Sequence, residues 1–142
     1  MPPQQNKTQE QQWIWPTESK IISSGYGYKI HPIFKKKVFH YGIDIAEKNG
    51  KPIFSVASGK IVKAQWNGGY GNYIEIDHGN GLISFYGHLN SYNVKAGDYV
   101  TQGQVIGKVG STGYSTGNHL HFGVISNKSN VDPLKYLHKI NH

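Results

Sequence analysis

The chain contains no cysteine and no arginine. The absence of cysteine excludes disulfide bonds and cysteine-ligated zinc sites, and it leaves the redox compartment open. The 15 basic residues are therefore all lysines, and together with 8 acidic residues they give a formal charge of +7. Because sequence-specific DNA readers rely on bidentate arginine contacts, this composition argues against nucleic acid as a partner and favours a loose attraction to anionic polymers.

Long apolar runs are also absent. No stretch approaches the ~18 residues of a membrane span, and the N-terminus lacks the apolar core of a signal peptide. Charged residues make up only 16% of the chain, whereas glycine (18) and tyrosine (10) are abundant. This composition is typical of short strands joined by tight turns.

The 142 residues are enough for one domain with a buried core. Residues 1–12 are rich in glutamine and proline and have almost no apolar side chains, so we expect a disordered tail or linker there. The folded domain is therefore predicted to span residues 13–142.

Turn residues divide the central part of the chain into short strand-like segments, which predicts a mostly antiparallel β-sandwich or folded sheet. The predicted strands are Ile53–Val56, Lys60–Trp66, Tyr73–Asp77, Leu82–Tyr86, Gln104–Val109 and His119–Ile125. Residues 23–39 have the pattern of a loop or hairpin. Near the end, Asp132-Pro133 is typical of a helix start and predicts one short C-terminal helix, Leu134 to Ile140.

Two histidines, His119 and His121, lie one residue apart in the last predicted strand. Alternate strand residues face the same side, so their backbones should be about 6–7 Å apart on one face. Such a pair suits two metal ligands, or one ligand beside one proton-transfer group. A half-buried strand whose polar face happens to carry histidines is the competing interpretation.

A second candidate pair is His40 and Asp44, in the sequence H-x-x-x-D. On a straight strand these residues would lie about 13 Å apart, too far to share a metal ion. They meet only if the backbone bends at Tyr41-Gly42, and Gly42 is the residue that permits a bend.

Two imidazoles and one carboxylate are a typical donor set for catalytic zinc, which keeps a fourth position open. His40, Asp44 and one histidine of the H-x-H pair supply this set. His88 and the remaining histidine of the pair would then be available for proton transfer and charge stabilisation. His78, in a predicted hairpin turn, is assigned to solvent.

Three segments together resemble the lysostaphin/LytM family of zinc endopeptidases. They are H-Y-G-I-D-I-A at 40–46, F-Y-G-H-L at 85–89 and G-S-T-G-Y-S-T-G-N-H-L-H-F-G-V at 110–124. The resemblance implies a folded sheet whose groove holds one zinc ion, and hydrolysis of peptidoglycan peptides by a metal-activated water. It also implies that His40, Asp44 and His121 ligate the zinc, and that His88 and His119 are the catalytic histidines.

Further expectations concern the substrate and the setting. Tyr114, Ser115 and Thr116, just before the H-x-H pair, are candidate substrate-binding residues, although a Gly-flanked turn can equally be structural. Many relatives carry arginine where this chain has Lys29, which bears on substrate preference. The expected partners are peptidoglycan peptides and, through charge, anionic wall polymers. We expect a monomer in an extracellular or cell-envelope location, with no signal or anchor in this chain.

Two other interpretations remain. Residues 94–104 resemble the strand repeat of biotinyl and lipoyl carrier domains, which would make the protein a carrier or binding module. A carrier, however, needs a modifiable lysine in an M-K-M or D-K-A context, which the chain lacks. A metal-free scaffold or wall-binding domain is the third possibility, and metal analysis of the purified protein separates all three.

Overall fold

The computed structural model describes residues 12–30, 35–113, 115 and 117–137. Within these residues the chain forms one ten-stranded antiparallel sheet and a separate two-stranded sheet. The strands are β1 (Ile22–Ser24), β2 (Gly27–Ile30), β3 (Lys37–His40), β4 (Ile43–Ala46), β5 (Pro52–Phe54), β6 (Gly59–Trp66), β7 (Asn72–Gly79), β8 (Leu82–Tyr92), β9 (Tyr99–Val100), β10 (Val105–Val109), β11 (His119–Ser126) and β12 (Ser129–Val131). The predicted mostly antiparallel β fold is confirmed, and each predicted strand corresponds to an observed one with shifted ends.

The long hairpin of β7 and β8 forms the centre of the large sheet. Its turn contains Asn80 (φ 55°) and Gly81 (φ 80°), both in the left-handed region that a two-residue hairpin turn of this type requires. The main sheet has the order β1-β4-β11-β8-β7-β6-β9, and β10 joins β8 to β5 outside this path. Strand β8 is therefore shared by two parts of a folded sheet.

The hydrophobic core lies on one face of this sheet. Ile43 and Ile45 of β4 and Leu120 and Phe122 of β11 are fully buried there. Each such side chain contributes about 1.5–3 kcal/mol by leaving water. Because a one-residue slip would turn this apolar set towards solvent, the core fixes the register of β4 and β11.

That register determines which residues lie on the opposite face. Strand β11 lies between β4 and β8, and His121 is directly opposite Asp44 on one side and Gly87 on the other. The small β2–β3 sheet brings His40, the last residue of β3, to the same region. The fold therefore brings together residues far apart in sequence, such as Asp44 and His121, which are 77 positions apart.

The predicted C-terminal helix is not confirmed. Asp132 does cap a turn, because its side chain accepts a hydrogen bond from the Leu134 amide, but the turn is a three-residue 3-10 helix, Pro133–Lys135. Leu137 then pairs with Trp13 in a parallel bridge, which takes the backbone off a helical path. The rest of the predicted helix, residues 138–140, lies outside the described residues. So does the predicted tail up to residue 11. In the described part of the chain no helix has the length and apolar character needed to cross a membrane.

Candidate metal centre and active site

A cleft of about 420 Å³ opens on the polar face of the sheet. It is lined by residues from β3, β4, β8 and β11, from the turn between β3 and β4 and from the loop before β7, namely Phe39, His40, Tyr41, Asp44, Gly69, Tyr70, His88, His119 and His121. All five residues that the sequence predicted for metal binding and catalysis are in this set.

Three of these residues form a possible metal site. The Asp44 Oδ1 atom is 3.3 Å from His40 Nε2 and 3.0 Å from His121 Nδ1. One ligand atom from each residue lies within 4.8 Å of the others. Bonds of about 2.0–2.1 Å to a tetrahedral zinc ion would place neighbouring ligand atoms roughly 3.3 Å apart. The residues present therefore fit a zinc ion.

The orientation of the His40 ring is fixed by a hydrogen bond at Nδ1, the ring nitrogen that faces away from Asp44. Its Nδ1–H donates to the carbonyl oxygen of Gly25 at 2.8 Å. This bond fixes the ring so that Nε2 faces Asp44. Hydrogen bonds of this kind hold metal-ligating histidines in the correct tautomer.

The charges of Asp44 and His121 also suit metal ligation. Burial works against a charge on Asp44, but hydrogen bonds with His121 and His40 outweigh it and hold the pKa of that carboxyl well below its usual range. Burial lowers the pKa of His121, which keeps the imidazole neutral. The buried Nε2 of His121 has no hydrogen-bond partner among the described residues.

The other two histidines lie beside this cluster. The His119 Nε2 is 3.6 Å from Asp44 Oδ1, and the rings of His119 and His88 are 5.0 Å apart. The Nδ1–H of His119 donates to the Gly117 carbonyl at 3.0 Å, and the Nδ1–H of His88 donates to the Thr112 carbonyl at 2.7 Å. Both rings therefore carry the free electron pair on Nε2. Burial lowers the pKa of His88, so its ring is neutral as well.

The chain does bend between His40 and Asp44, with β3 ending at His40 and β4 beginning at Ile43. Gly42 is nevertheless needed for a different reason from the one predicted. Its φ lies outside the left-handed region, so its backbone conformation is open to other residues. A Cβ at this position would be 2.4 Å from the Phe122 carbonyl oxygen and 3.1 Å from the His121 ring. Gly42 therefore allows a close approach rather than a special turn.

The predicted substrate-binding turn is only partly described, because Tyr114 and Thr116 lie outside the described residues. Ser115 donates a hydrogen bond to the Gly117 carbonyl at 2.7 Å, and its Oγ is 3.4 Å from His119 Nδ1. It is not one of the residues that line the cleft. The described contacts give Ser115 a role in holding the turn before β11.

Sequence reasoning missed the aromatic walls of the cleft. Phe39, Tyr41 and Tyr70 line it; the rings of Phe39 and Tyr41 are 4.7 Å apart, and the Tyr70 ring stacks on His121 at 5.2 Å. Burial raises the pKa of the Tyr70 hydroxyl, so it remains protonated. The only signal was the G-G-Y-G sequence before β7, which marks a turn but not its position in the fold.

Comparisons with known proteins agree on one family. Residues 38–133 match peptidase family M23. The chain is 46% identical over 119 residues to lysostaphin of Staphylococcus simulans, and 44% identical over 113 residues to the DD-carboxypeptidase/endopeptidase Mpg of Neisseria meningitidis. Each alignment covers 80% of this chain, but only 24% and 26% of the respective relatives.

A solved structure supports the same relationship. A zinc-containing peptidase from Vibrio cholerae superposes with a TM-score of 0.83 at 33% sequence identity. The match covers 93% of this chain and 41% of that one. The chain thus spans about a quarter of the length of the curated relatives and less than half of this structural neighbour.

Proposed function

The chain belongs to peptidase family M23, and on this premise we propose that it is a zinc-dependent endopeptidase that hydrolyses peptides of bacterial peptidoglycan. The observation that carries the proposal is the convergence of two imidazole nitrogens on one carboxylate oxygen, at 3.0 and 3.3 Å, in an open cleft. Two further histidines beside that cluster supply groups for proton transfer.

We propose zinc as the metal and His40, Asp44 and His121 as its ligands. The donor set is two imidazoles and one carboxylate, and no cysteine exists in the chain to close the site. Zinc bound there would act as a Lewis acid towards the scissile carbonyl and make water a better nucleophile. The structural neighbour from Vibrio cholerae is a zinc-containing peptidase, which supports this choice.

His88 and His119 are proposed as the proton-transfer pair. Since both Nδ1 atoms are tied to backbone carbonyls, each ring can accept or donate a proton only at Nε2. One ring can take the proton of the attacking water, and a protonated ring can stabilise the charge that develops on the carbonyl oxygen. Positioned groups of this kind contribute about 10²–10⁴-fold to the rate.

The walls of the cleft suit an extended peptide with small residues. Gly69 has no side chain, and the rings of Tyr41 and Tyr70 flank the site. A cleft of this kind admits the small side chains found in stem and bridge peptides. The relatives include proteins named as a glycyl-glycine endopeptidase and a peptidoglycan DD-endopeptidase, and the substrate of this chain is proposed by that likeness.

A basic surface next to the cleft supports a location on the cell wall. Residues 19–43 contain five lysines and no acidic residue. None of the described lysines in this stretch forms an ion pair, and Lys37 lies over the ring of Tyr28 at 4.5 Å. We propose that this surface attracts anionic wall polymers to a monomeric, extracellular or envelope-located enzyme.

The direct test of the activity is the release of peptide amines from purified peptidoglycan. We expect release by the wild-type protein, loss with a chelator and recovery with added zinc, and no release by Asp44→Asn. Product analysis by mass spectrometry then identifies the bond. A wild-type protein loaded with zinc that releases no peptide amine from peptidoglycans of both glycyl-bridged and directly cross-linked types would refute the proposal.

The test of the basic surface uses two variants with the same formal charge. Replacing Lys35, Lys36 and Lys37 with glutamine should weaken sedimentation with cell walls at low salt. Replacing the exposed Lys48, Lys108 and Lys135 with glutamine should have less effect, and both variants should cut soluble peptides normally. Because the Debye length falls from about 10 Å at 0.1 M salt to about 3 Å at 1 M, the difference should disappear at high salt. Equal binding by the two variants at low salt would contradict a role for this surface.

A further inference from the structure

His88 has an unusual backbone conformation. It lies inside β8 with φ 65°, in the left-handed region that residues with a Cβ rarely adopt. The pairing of β7 with β8 passes from Ile74 opposite Tyr86 to Asn72 opposite Leu89, so one residue of β7 faces two of β8. This is a β-bulge, a feature that re-aims side chains near active sites.

The bulge explains why His88 faces the cleft. Tyr86 and Leu89 are both fully buried in the core although they are three residues apart, which simple strand alternation forbids. The extra residue changes the alternation, so the side chain of His88 joins the polar face. A strained conformation of this kind persists only where surrounding contacts hold it.

Thr112 makes contacts that hold this bulge. Its hydroxyl donates to the Leu89 carbonyl at 2.7 Å and accepts a hydrogen bond from the Asn72 amide at 3.1 Å. Its own carbonyl accepts the Nδ1–H of His88 at 2.7 Å. The Asn72 side chain also donates to the Leu89 carbonyl, at 3.0 Å. One threonine therefore connects the backbone after His88 with the ring of His88.

The position of Thr112 is itself fixed by close packing of two loops. A Cβ at Gly71 would be 2.5 Å from the Thr112 carbonyl carbon, and a Cβ at Gly113 would be 2.4 Å from the Gly71 amide nitrogen. Both glycines have positive φ, at 66° and 78°. The loops before β7 and after β10 thus meet backbone to backbone, and the hydroxyl of Thr112 bridges them to β8.

We propose that Thr112 is the positioning residue for His88, and this inference rests on the proton-transfer role proposed for His88 above. The hydroxyl keeps the Thr112 carbonyl at the distance needed to hold the proton on Nδ1. The electron pair of the ring is then on Nε2, facing the cleft. Without the hydroxyl, the loop can shift and the ring loses both its fixed direction and its fixed tautomer.

The test compares Thr112→Val, which keeps the shape but removes the hydroxyl, with Thr112→Ser, which keeps the hydroxyl. We expect Thr112→Val to retain one zinc per chain and an unchanged KM, with kcat lower by about 10- to 100-fold, since small misplacements of a reacting group have effects of that size. Thr112→Ser should stay within about threefold of wild type. Thr112→Ala has the same expectation as Thr112→Val and serves if the valine variant does not fold.

A second readout does not depend on activity. Long-range ¹⁵N NMR of the imidazole should show His88 protonated on Nδ1 in the wild type and in Thr112→Ser, and a mixture of tautomers in Thr112→Val. Unchanged kcat, a changed KM alone, loss of zinc, or an unchanged tautomer in Thr112→Val would each overturn the inference. If the wild-type protein proves inactive, the proposed function fails, while the NMR result still decides the role of Thr112.

Discussion

At the scale of single residues, Gly42 shows how the site depends on a side chain that is missing. The Phe122 carbonyl and the His121 ring occupy the space where a Cβ would lie. Gly25, by contrast, has open space around it and no positive φ, although its carbonyl holds His40. The two glycines therefore provide a matched pair of substitutions next to two proposed ligands, Gly25 at His40 and Gly42 at His121.

Gly42→Ala should weaken zinc binding and lower the free energy of unfolding by about 1–3 kcal/mol, the usual cost of overpacking. The added methyl group would push β4 away from β11 and move His121 relative to Asp44. Gly25→Ala should change neither quantity appreciably. Zinc titration and urea unfolding measure the two effects, and equal zinc affinity in Gly42→Ala and the wild type would show that the close approach does not matter.

Residue-level prediction identified residues of the cleft where a local motif marks them, and their chemical roles stay predictions. The H-x-x-x-D and H-x-H spacings led to His40, Asp44, His119 and His121, and all four lie in the cleft. It failed at Tyr70, because stacking on His121 depends on how the loop before β7 folds over β11. No spacing in the sequence encodes that contact.

At the scale of strands and turns, His78 has a structural role that its position in the sequence did not predict. It belongs to β7, not to a solvent-exposed turn, so the predicted assignment to solvent was wrong. Its Nδ1–H donates to the Ser58 carbonyl, and its Nε2 accepts from the Ser84 hydroxyl, both at 2.8 Å. The Ser84 hydroxyl is bonded in turn to the buried Tyr86 hydroxyl at 2.8 Å. This chain of hydrogen bonds ties the loop after β5 to β7 and β8.

The His78 network predicts a loss of stability in mild acid. Burial lowers the pKa of His78 below its ordinary value of 6.5. At a pH between the folded-state and unfolded-state pKa values of His78, the unfolded chain binds more protons than the folded chain. The contribution of neutral His78 to the free energy of unfolding is therefore complete above about pH 6.5 and falls as the pH drops towards the folded-state pKa. One proton accounts for at most about 1.4 kcal/mol per pH unit.

The measurement is the free energy of unfolding from pH 7.5 down to pH 5 for the wild type and His78→Gln, both without metal. Glutamine keeps a donor and an acceptor but does not titrate in this range. We expect a shallower pH dependence for the variant, because the histidines of the cleft contribute equally to both proteins. Identical slopes would mean that His78 does not contribute to acid sensitivity.

At the scale of the whole molecule, the strand pattern was predictable because alternation and turn residues are local signals. The β7–β8 hairpin is the clearest case, with glycine and asparagine at its turn. The order β1-β4-β11-β8 was not predictable, since it joins segments from both halves of the chain. The helix after Asp132 was predicted from its cap alone, and the bridge between Leu137 and Trp13 competes with it.

Trp13 joins the two ends of the described chain. It is 5% exposed, and its ring lies 4.8 Å from His78 and 5.3 Å from Tyr136. Trp13→Ala should therefore lower the free energy of unfolding by about 3–5 kcal/mol.

A chain that starts at Gln12 keeps this ring and should melt within about 1 °C of the full chain, because residues 1–11 contain few apolar groups to bury. Thermal melts of the two variants measure both effects, and a large loss on removing residues 1–11 would contradict the second expectation.

The central claim is that His40, Asp44 and His121 hold one zinc ion while His88 and His119 act on the substrate. The most direct test is the zinc content per chain after mild dialysis, measured by elemental analysis for the wild type, His121→Ala and His119→Ala. We predict about one zinc in the wild type and in His119→Ala, and almost none in His121→Ala. Zinc retained by His121→Ala and lost from His119→Ala would reverse the two roles, and zinc retained by both would place the metal elsewhere and contradict the account.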